Sequence, residues 1–156
     1  MLKIYKPLLK DLWFREKMLS DIDTMSFNNA YGGTIPFPKE RWLSWYKRWL
    51  EDDSGNYFYR YLMNEGSEFI GEIAYHLNGD NLYIADILIY SKFRNKGYGK
   101  EGLSILCSIA KENGVNVLYD DIAIDNVNAY KLFTKCGFLE EYRTNEIIML
   151  KKQLNK

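Results

Sequence analysis

The chain has 156 residues, a length that suits one domain with a real hydrophobic core. Lys and Arg total 21 against 21 Asp and Glu, so no global field draws it to nucleic acid or to an anionic membrane, and neither is expected as a partner. One His and two Cys leave almost no raw material for a zinc site or a Ser-His-Asp device, so no metal is expected.

In chain order, Leu2 to Tyr5 is expected as a first strand stopped by Pro7. A helical pattern follows from Leu8 to Asp21, with Leu9, Leu12 and Trp13 on one face. Thr24 to Thr34, rich in Ser, Asn and Gly, is expected as a loop. Pro36 and Pro38 punctuate the start of a helix that runs to about Glu51. That helix carries Trp42, Trp45, Tyr46 and Trp49 at i, i+3, i+4 and i+7, which favours an aromatic core stripe. The alternative is that one or two of these rings wall a substrate pocket.

Tyr57 to Met63, Glu68 to Leu77 and Leu82 to Tyr90 are strand-like runs, joined by Asn64-Glu65-Gly66-Ser67 and Asn78-Gly79-Asp80-Asn81. Asn-Gly between apolar runs predicts hairpins, hence an antiparallel meander. His76 lies in the second hairpin and is expected as a surface or packed residue rather than a base. Further on, a helix runs to Asn113 with Gly114 as its C-cap, and Val115 to Ile122 returns as a strand, closing a right-handed crossover and one parallel pair. A helix from about Asn126 stops at Gly137, and Phe138 to Tyr142 and Ile147 to Leu150 close the fold as strands. Cys107 and Cys136 fall on predicted helices in a chain with no signal-peptide or transmembrane run, so reduced thiols in a cytoplasmic protein are expected.

The most informative stretch is Ala85 to Leu106. An apolar run, Ile87, Leu88 and Ile89, leads into a basic, glycine-spaced loop from Arg94 through Asn95, Lys96, Gly97, Tyr98 and Gly99 to Lys100, where a helix opens. Glycines let backbone approach a ligand, unpaired N–H groups at a helix start point at it, and the helix dipole favours negative charge. Arg94, Lys96 and Lys100 add positive charge, so a pyrophosphate-bearing ligand is expected here. A P-loop is excluded because Gly99-Lys100 is followed by Glu101. The dinucleotide pattern G-x-G-x-x-G is matched by Gly97, Gly99 and Gly102, but too far from its strand and behind antiparallel hairpins.

The remaining pattern, R/Q-x-x-G-x-G/A, is met by Arg94, Gly97 and Gly99, and with it the chain resembles the GNAT superfamily of acyl-CoA-dependent N-acyltransferases. A second stretch supports the resemblance: Asn126, Ala129, Lys135, Gly137 and Phe138 fall at the spacing of that family's other signature. The resemblance covers roughly residues 68 to 150, the expected cofactor-binding core of a single domain spanning 1–156. It implies a mixed α/β fold, with a central, mostly antiparallel sheet flanked by helices and one parallel pair around the acyl-CoA site. It also implies acetyl-CoA as cosubstrate, with Ile87, Leu88 and Ile89 beside the pantetheine and Asn95 to Lys100 on the pyrophosphate. Asn126 would contact the pantetheine or simply cap its helix, and Phe133 would pack against the cofactor.

Transfer of an acetyl group to an amine needs a neutral amine, and so a carboxylate to take its proton, directly or through water. By resemblance that base is Asp121, five residues before Asn126, with Asp86 and Glu72 as alternatives. Asp120 and Asp121 alternate faces in a strand, so only one is expected to point into the cleft. Where the family often has a tyrosine to protonate the leaving thiolate, this chain has Phe133; Tyr130, one helical turn earlier, is the candidate substitute. The expected acceptor is a small-molecule or peptide amine, and the acids near the cleft lean toward a cationic one. A homodimer is expected by analogy only. A non-catalytic acyl-CoA-binding domain and a dinucleotide-binding protein remain as alternatives.

Overall fold

A computed structural model describes residues 1–155. Its seven strands are β1 (Lys3–Tyr5), β2 (Tyr57–Met63), β3 (Phe69–Leu77), β4 (Tyr83–Ile89), β5 (Val117–Ala123), β6 (Leu139–Arg143) and β7 (Ile147–Gln153). They form one sheet in the order β1-β2-β3-β4-β5-β7-β6, antiparallel throughout except for β4 beside β5. The helices are α1 (Trp13–Ser20), α2 (Trp42–Tyr46), α3 (Tyr98–Glu112) and α4 (Val127–Lys135). Among the described residues no helix is long and apolar enough to cross a membrane.

The central strands are apolar on both sides because both faces of the sheet are covered. Phe58 and Leu62 of β2, Ile73 of β3 and Ala85 of β4 pack with Leu103, Leu106 and Ala110 of α3 and Phe133 of α4. On the other face, Tyr59 and Tyr61 of β2, Ala74 of β3 and Leu88 of β4 pack with Phe14, Met18 and Leu19 of α1 and Trp42 of α2. α3 lies close to the sheet because Gly102 has no side chain. A Cβ there would stand 2.7 Å from Leu62 Cδ1 and 3.1 Å from Ile87 Cδ1.

The expected meander, crossover and closing strands are all present, and the loop expected over Thr24 to Thr34 instead winds into a 3-10 helix at Ser26–Tyr31; three further local expectations need correction. First, the helix expected from Leu8 begins as a 3-10 turn over Leu9–Leu12, which shifts its phase. Leu12, Phe14 and Met18 are buried, whereas Leu9 and Trp13 are exposed. Second, the Trp-bearing helix is broken into a 3-10 turn (Lys39–Arg41), α2 and a π-helical turn (Lys47–Glu51). Third, the β3–β4 turn is not built on Asn-Gly. Asn78 Oδ1 accepts from the amides of Asp80 and Leu82 at 2.9 and 3.0 Å, and Asn81, not Gly79, takes positive φ.

The parallel pair is short. β4 and β5 are joined only at Tyr83–Leu118 and Ile84–Tyr119, after which the strands part. Continued register would set Asp86 directly against Asp121, and like charges facing each other across a strand pair are unfavourable. Each strand keeps its antiparallel neighbour along the rest of its length, so the sheet opens as a V at this one place.

Candidate functional site

At the end of β4 the chain passes Ser91–Phe93 and enters the glycine loop. Asn95 and Gly97 both have positive φ, at 62° and 82°. A Cβ on Gly97 would meet nothing within 4 Å, so glycine is required there by backbone conformation and not by space. Gly97 caps α3, whose first internal bond is Glu101 N–H to the Gly97 carbonyl at 3.2 Å. Among the described residues, no backbone N–H from Asn95 to Lys100 donates to a protein acceptor. A row of free amides at a helix start binds anions, phosphates above all.

The loop opens into a cleft of about 1170 Å³ that runs up through the V between β4 and β5. Its walls include Ile87, Leu88 and Ile89 on one strand, Asp120 to Ala123 on the other, and Asn126 and Phe133 from α4. Asn126 caps α4, its Oδ1 accepting the Ala129 amide at 3.2 Å. Beyond the V the cleft continues over the opposite sheet face, past Glu72, Trp45, Trp49 and the segment around Phe27 and Tyr31.

Three aspartates stand where the strands part. Asp121 shares a sheet face with Asp86 and Glu72, whereas Asp120 faces the α3 and α4 side, so the alternation of faces holds. Both nevertheless line the cleft, because the missing pairing leaves each strand edge open. Asp86 keeps 54% of its side-chain surface open to the cleft but lies at the bottom of a concavity, ringed by protein. Burial first, then the charge of Glu72, pushes its carboxyl up to about 7, against a smaller opposing pull from Arg15. Asp120 is pushed well above the usual carboxylate range, by burial and then by Asp86 and Asp121. His76 Nδ1 lies 4.0 Å from Asp86 Oδ2, with its ring packed against Trp49 and Tyr57, and burial pulls its pKa down.

Glu72 is committed elsewhere. Arg15 Nη1 donates to both of its oxygens at 2.7 and 2.9 Å, and the buried Tyr59 hydroxyl donates to Oε1. The Arg15 guanidinium also lies 4.4 Å from the ring centroid of Trp45. With both oxygens engaged, Glu72 is a fixed part of the floor. Nothing in the sequence reading pointed to Arg15. The available signal was a cation inside the apolar run Trp13-Phe14, matched by an acid in the middle of an apolar strand.

Other expected site residues are placed as follows. Asn95, Gly97, Tyr98, Gly99 and Lys100 line the cleft, Tyr98 also packing partly into the core, but Lys96 is exposed outside it. Arg94 spends its guanidinium on the carbonyls of Asp23 and Thr24, at 2.9 and 2.6 Å. It therefore holds that segment against the loop instead of offering a free charge. Tyr130 does not line the cleft; it packs at the core edge near Glu140 and Arg143. Phe133, 2% exposed, packs edge-on against Phe138. Trp42 is core as expected, while Trp45 and Trp49 stack 5.9 Å apart on the cleft wall, so the stripe serves both purposes.

A mixed sheet opened at its one parallel pair, above a helix start with free amides, is a fold shared with solved acetyltransferase structures. The model of the acetyltransferase (GNAT) family matches residues 17–138, and the chain belongs to that family. Among curated proteins it is similar to the uncharacterized N-acetyltransferase YycN of Bacillus subtilis (strain 168), 33% identical over 70 residues. That stretch is 45% of this chain and 42% of the relative, so the match spans about two fifths of the relative's length. Among solved structures it is similar to the spermidine N-acetyltransferase of Vibrio cholerae in complex with CoA and spermine. The TM-score is 0.82 at 16% identity, over 98% of this chain and 95% of that one. It is also similar to yncA of Salmonella typhimurium with its cofactor acetyl-CoA, with a TM-score of 0.78 at 15% identity over 99% and 95%. At these identities the likeness is one of fold.

Proposed function

We propose that this protein is an N-acetyltransferase that moves an acetyl group from acetyl-CoA to a primary amine by direct transfer. The observation that carries the reading is continuity: one cleft joins the free amides of Asn95 to Lys100, the open V and the aspartates of β4 and β5. The amides suit a pyrophosphate. The unpaired edges of β4 and β5 suit an extended amide-bearing chain lying between them as a strand would, which is the shape of a pantetheine arm. The structures of similar fold that carry CoA or acetyl-CoA support the same choice of cosubstrate.

Acetyl-CoA when bound supplies the thioester; the chain's own groups orient the reactants and move the proton. The amine nitrogen attacks the thioester carbon, the C–N bond forms, and the C–S bond breaks with its electron pair leaving on sulfur. Asp121 and Asp86, on one sheet face, are the groups placed to take the amine proton, and the Asp86 carboxyl, raised to about 7, is well matched to that task near neutral pH. Cys107 and Cys136 are buried and neither lines the cleft, and burial pushes the Cys107 thiol up, which argues against an acyl-enzyme.

A thermal-shift titration against acetyl-CoA, CoA, NAD and ATP, followed by an amine screen, tests the reading. A ligand bound only by the folded state at 100 Kd adds about 2.7 kcal/mol, so a true cosubstrate is plain. Stabilisation by acetyl-CoA and acetyl transfer to an amine are expected. Stabilisation by NAD alone, or acetyl-CoA binding with no transfer to any amine, overturns it.

A further inference from the structure

Beside the acceptor end of the cleft lies a second cavity of about 280 Å³. It shares Arg15, Leu19, Ile35 and Trp45 with the main cleft but no residue of the glycine loop or of α3 and α4. Every charged residue in its lining is an arginine: Arg15, Arg41 and Arg48. Arg41, Ser44 and Arg48 follow one another at i, i+3 and i+7 across the 3-10, α and π turns, and all three reach this cavity.

The charges here are unequally spent. Arg15 is paired with Glu72, although its buried Nε has no hydrogen-bond partner. Among the described residues neither Arg41 nor Arg48 has a carboxylate within 4.0 Å. Two unpaired guanidinium groups on one helical face, at the mouth of a concavity that holds no acid, form a fork for a carboxylate or phosphate oxygen set. The phosphates of a coenzyme A molecule do not fill that role, because the amides that suit them lie at the other end of the cleft.

We infer, on the basis of the transferase reading, that the acceptor is a zwitterion whose amine lies over the acids of β4 and β5 while an anionic group, carboxylate or phosphate, enters the cavity of Arg41 and Arg48. Arg15 and Trp45 belong to both spaces and form the step between them, so the two charged ends are held apart by the Arg15–Trp45 contact. An acceptor with cations at both ends would bring one of them against the arginines. The lean toward a cationic acceptor, drawn from the acids alone, is narrowed here to one that also carries an anionic group.

The test uses matched sets: α-amino acids with small, aliphatic and aromatic side chains, the amines made by removing their carboxylate, and the corresponding α-aminophosphonates. Each is titrated calorimetrically into the protein with and without CoA, for wild type, Arg41→Gln/Arg48→Gln and Arg48→Lys. In at least one set the anionic member is expected to bind at least tenfold tighter than the bare amine. That preference should vanish in the double glutamine variant and return in part with lysine. Carboxylate over phosphonate, or the reverse, identifies the anion. Bare amines that bind as well as the anionic members in every set, a preference that survives the double variant, or no binding by any member overturns the inference. Acetyl-CoA titrated into the same proteins is read separately. If it fails to bind wild type, the transferase reading falls, whereas if it binds equally to all three, a lost preference belongs to the arginines.

Discussion

Replacing Arg15 by Met leaves the Glu72 carboxylate buried without its cation. The side chains of the pair are only 18% and 9% exposed, Nη1 bonds both carboxylate oxygens at 2.7 and 2.9 Å, and the guanidinium stacks 4.4 Å from Trp45. Removing one partner of such a pair costs about 3–5 kcal/mol, well above the ~0–1 kcal/mol of an exposed pair. At about 2–4 °C per kcal/mol for a domain of this size, the melting temperature should fall by roughly 6–20 °C. The double variant Arg15→Met/Glu72→Gln removes both charges, so its loss should be smaller than the sum of the two single losses by at least ~2 kcal/mol. Urea unfolding followed by circular dichroism and tryptophan fluorescence, with coincident transitions, measures all four corners of the cycle. A loss below about 1 kcal/mol for Arg15→Met, or simple additivity, would show that the pair is screened by water and that the cleft floor is held some other way.

Transfer at saturating acetyl-CoA should rise with pH up to about 7 and then level, because Asp86 must be deprotonated to act; Asp86→Asn should flatten that limb. Asp121→Asn should lower kcat by roughly 10²–10⁴-fold with acetyl-CoA affinity unchanged in calorimetry. The stability consequence has the opposite sign. A carboxyl whose folded pKa is raised favours the fold below its unfolded value near 3.8 and loses that contribution as pH rises toward 7. Asp86→Asn should therefore raise the melting temperature at pH 8 more than at pH 5. Gly97→Val forces a β-branched residue to φ +82° in open space, so it should weaken acetyl-CoA binding by about tenfold or more while the protein stays folded. Gly71→Ala puts a Cβ 2.4 Å from the Leu88 carbonyl oxygen, which the strand pairing cannot move, and should cost about 1–3 kcal/mol or more in urea unfolding.

The glycine-loop half of the candidate site was legible because its geometry is local. Strand, glycine loop and helix start are contiguous, so Ile87 to Lys100 carries their spacing on its face. Asn126, the cap of α4, was legible for the same reason. The half of the cleft around Glu72 was not, because it is assembled from distant segments: Arg15 meets Glu72 57 residues away. Helix phase was lost where the backbone left α geometry: the 3-10 start before α1 turned Trp13 outward, and the π turn after α2 carries Trp49, which stacks on Trp45 at the wall. Arg94 shows the limit of charge counting, since its cation was visible but the carbonyls that claim it lie some 70 residues upstream. Tyr130 sits at the expected helical offset, yet the side chain belongs to the β6 side of α4.

Amide hydrogen exchange with and without acetyl-CoA tests the central claim most directly, since it reads the proposed contacts residue by residue. The free amides of Asn95 to Lys100 and the unpaired edges of β4 and β5 beyond Ile84 and Tyr119 should exchange quickly alone and slow markedly with acetyl-CoA, but not with NAD. Protection elsewhere, or none at these two places despite saturation, would contradict the account.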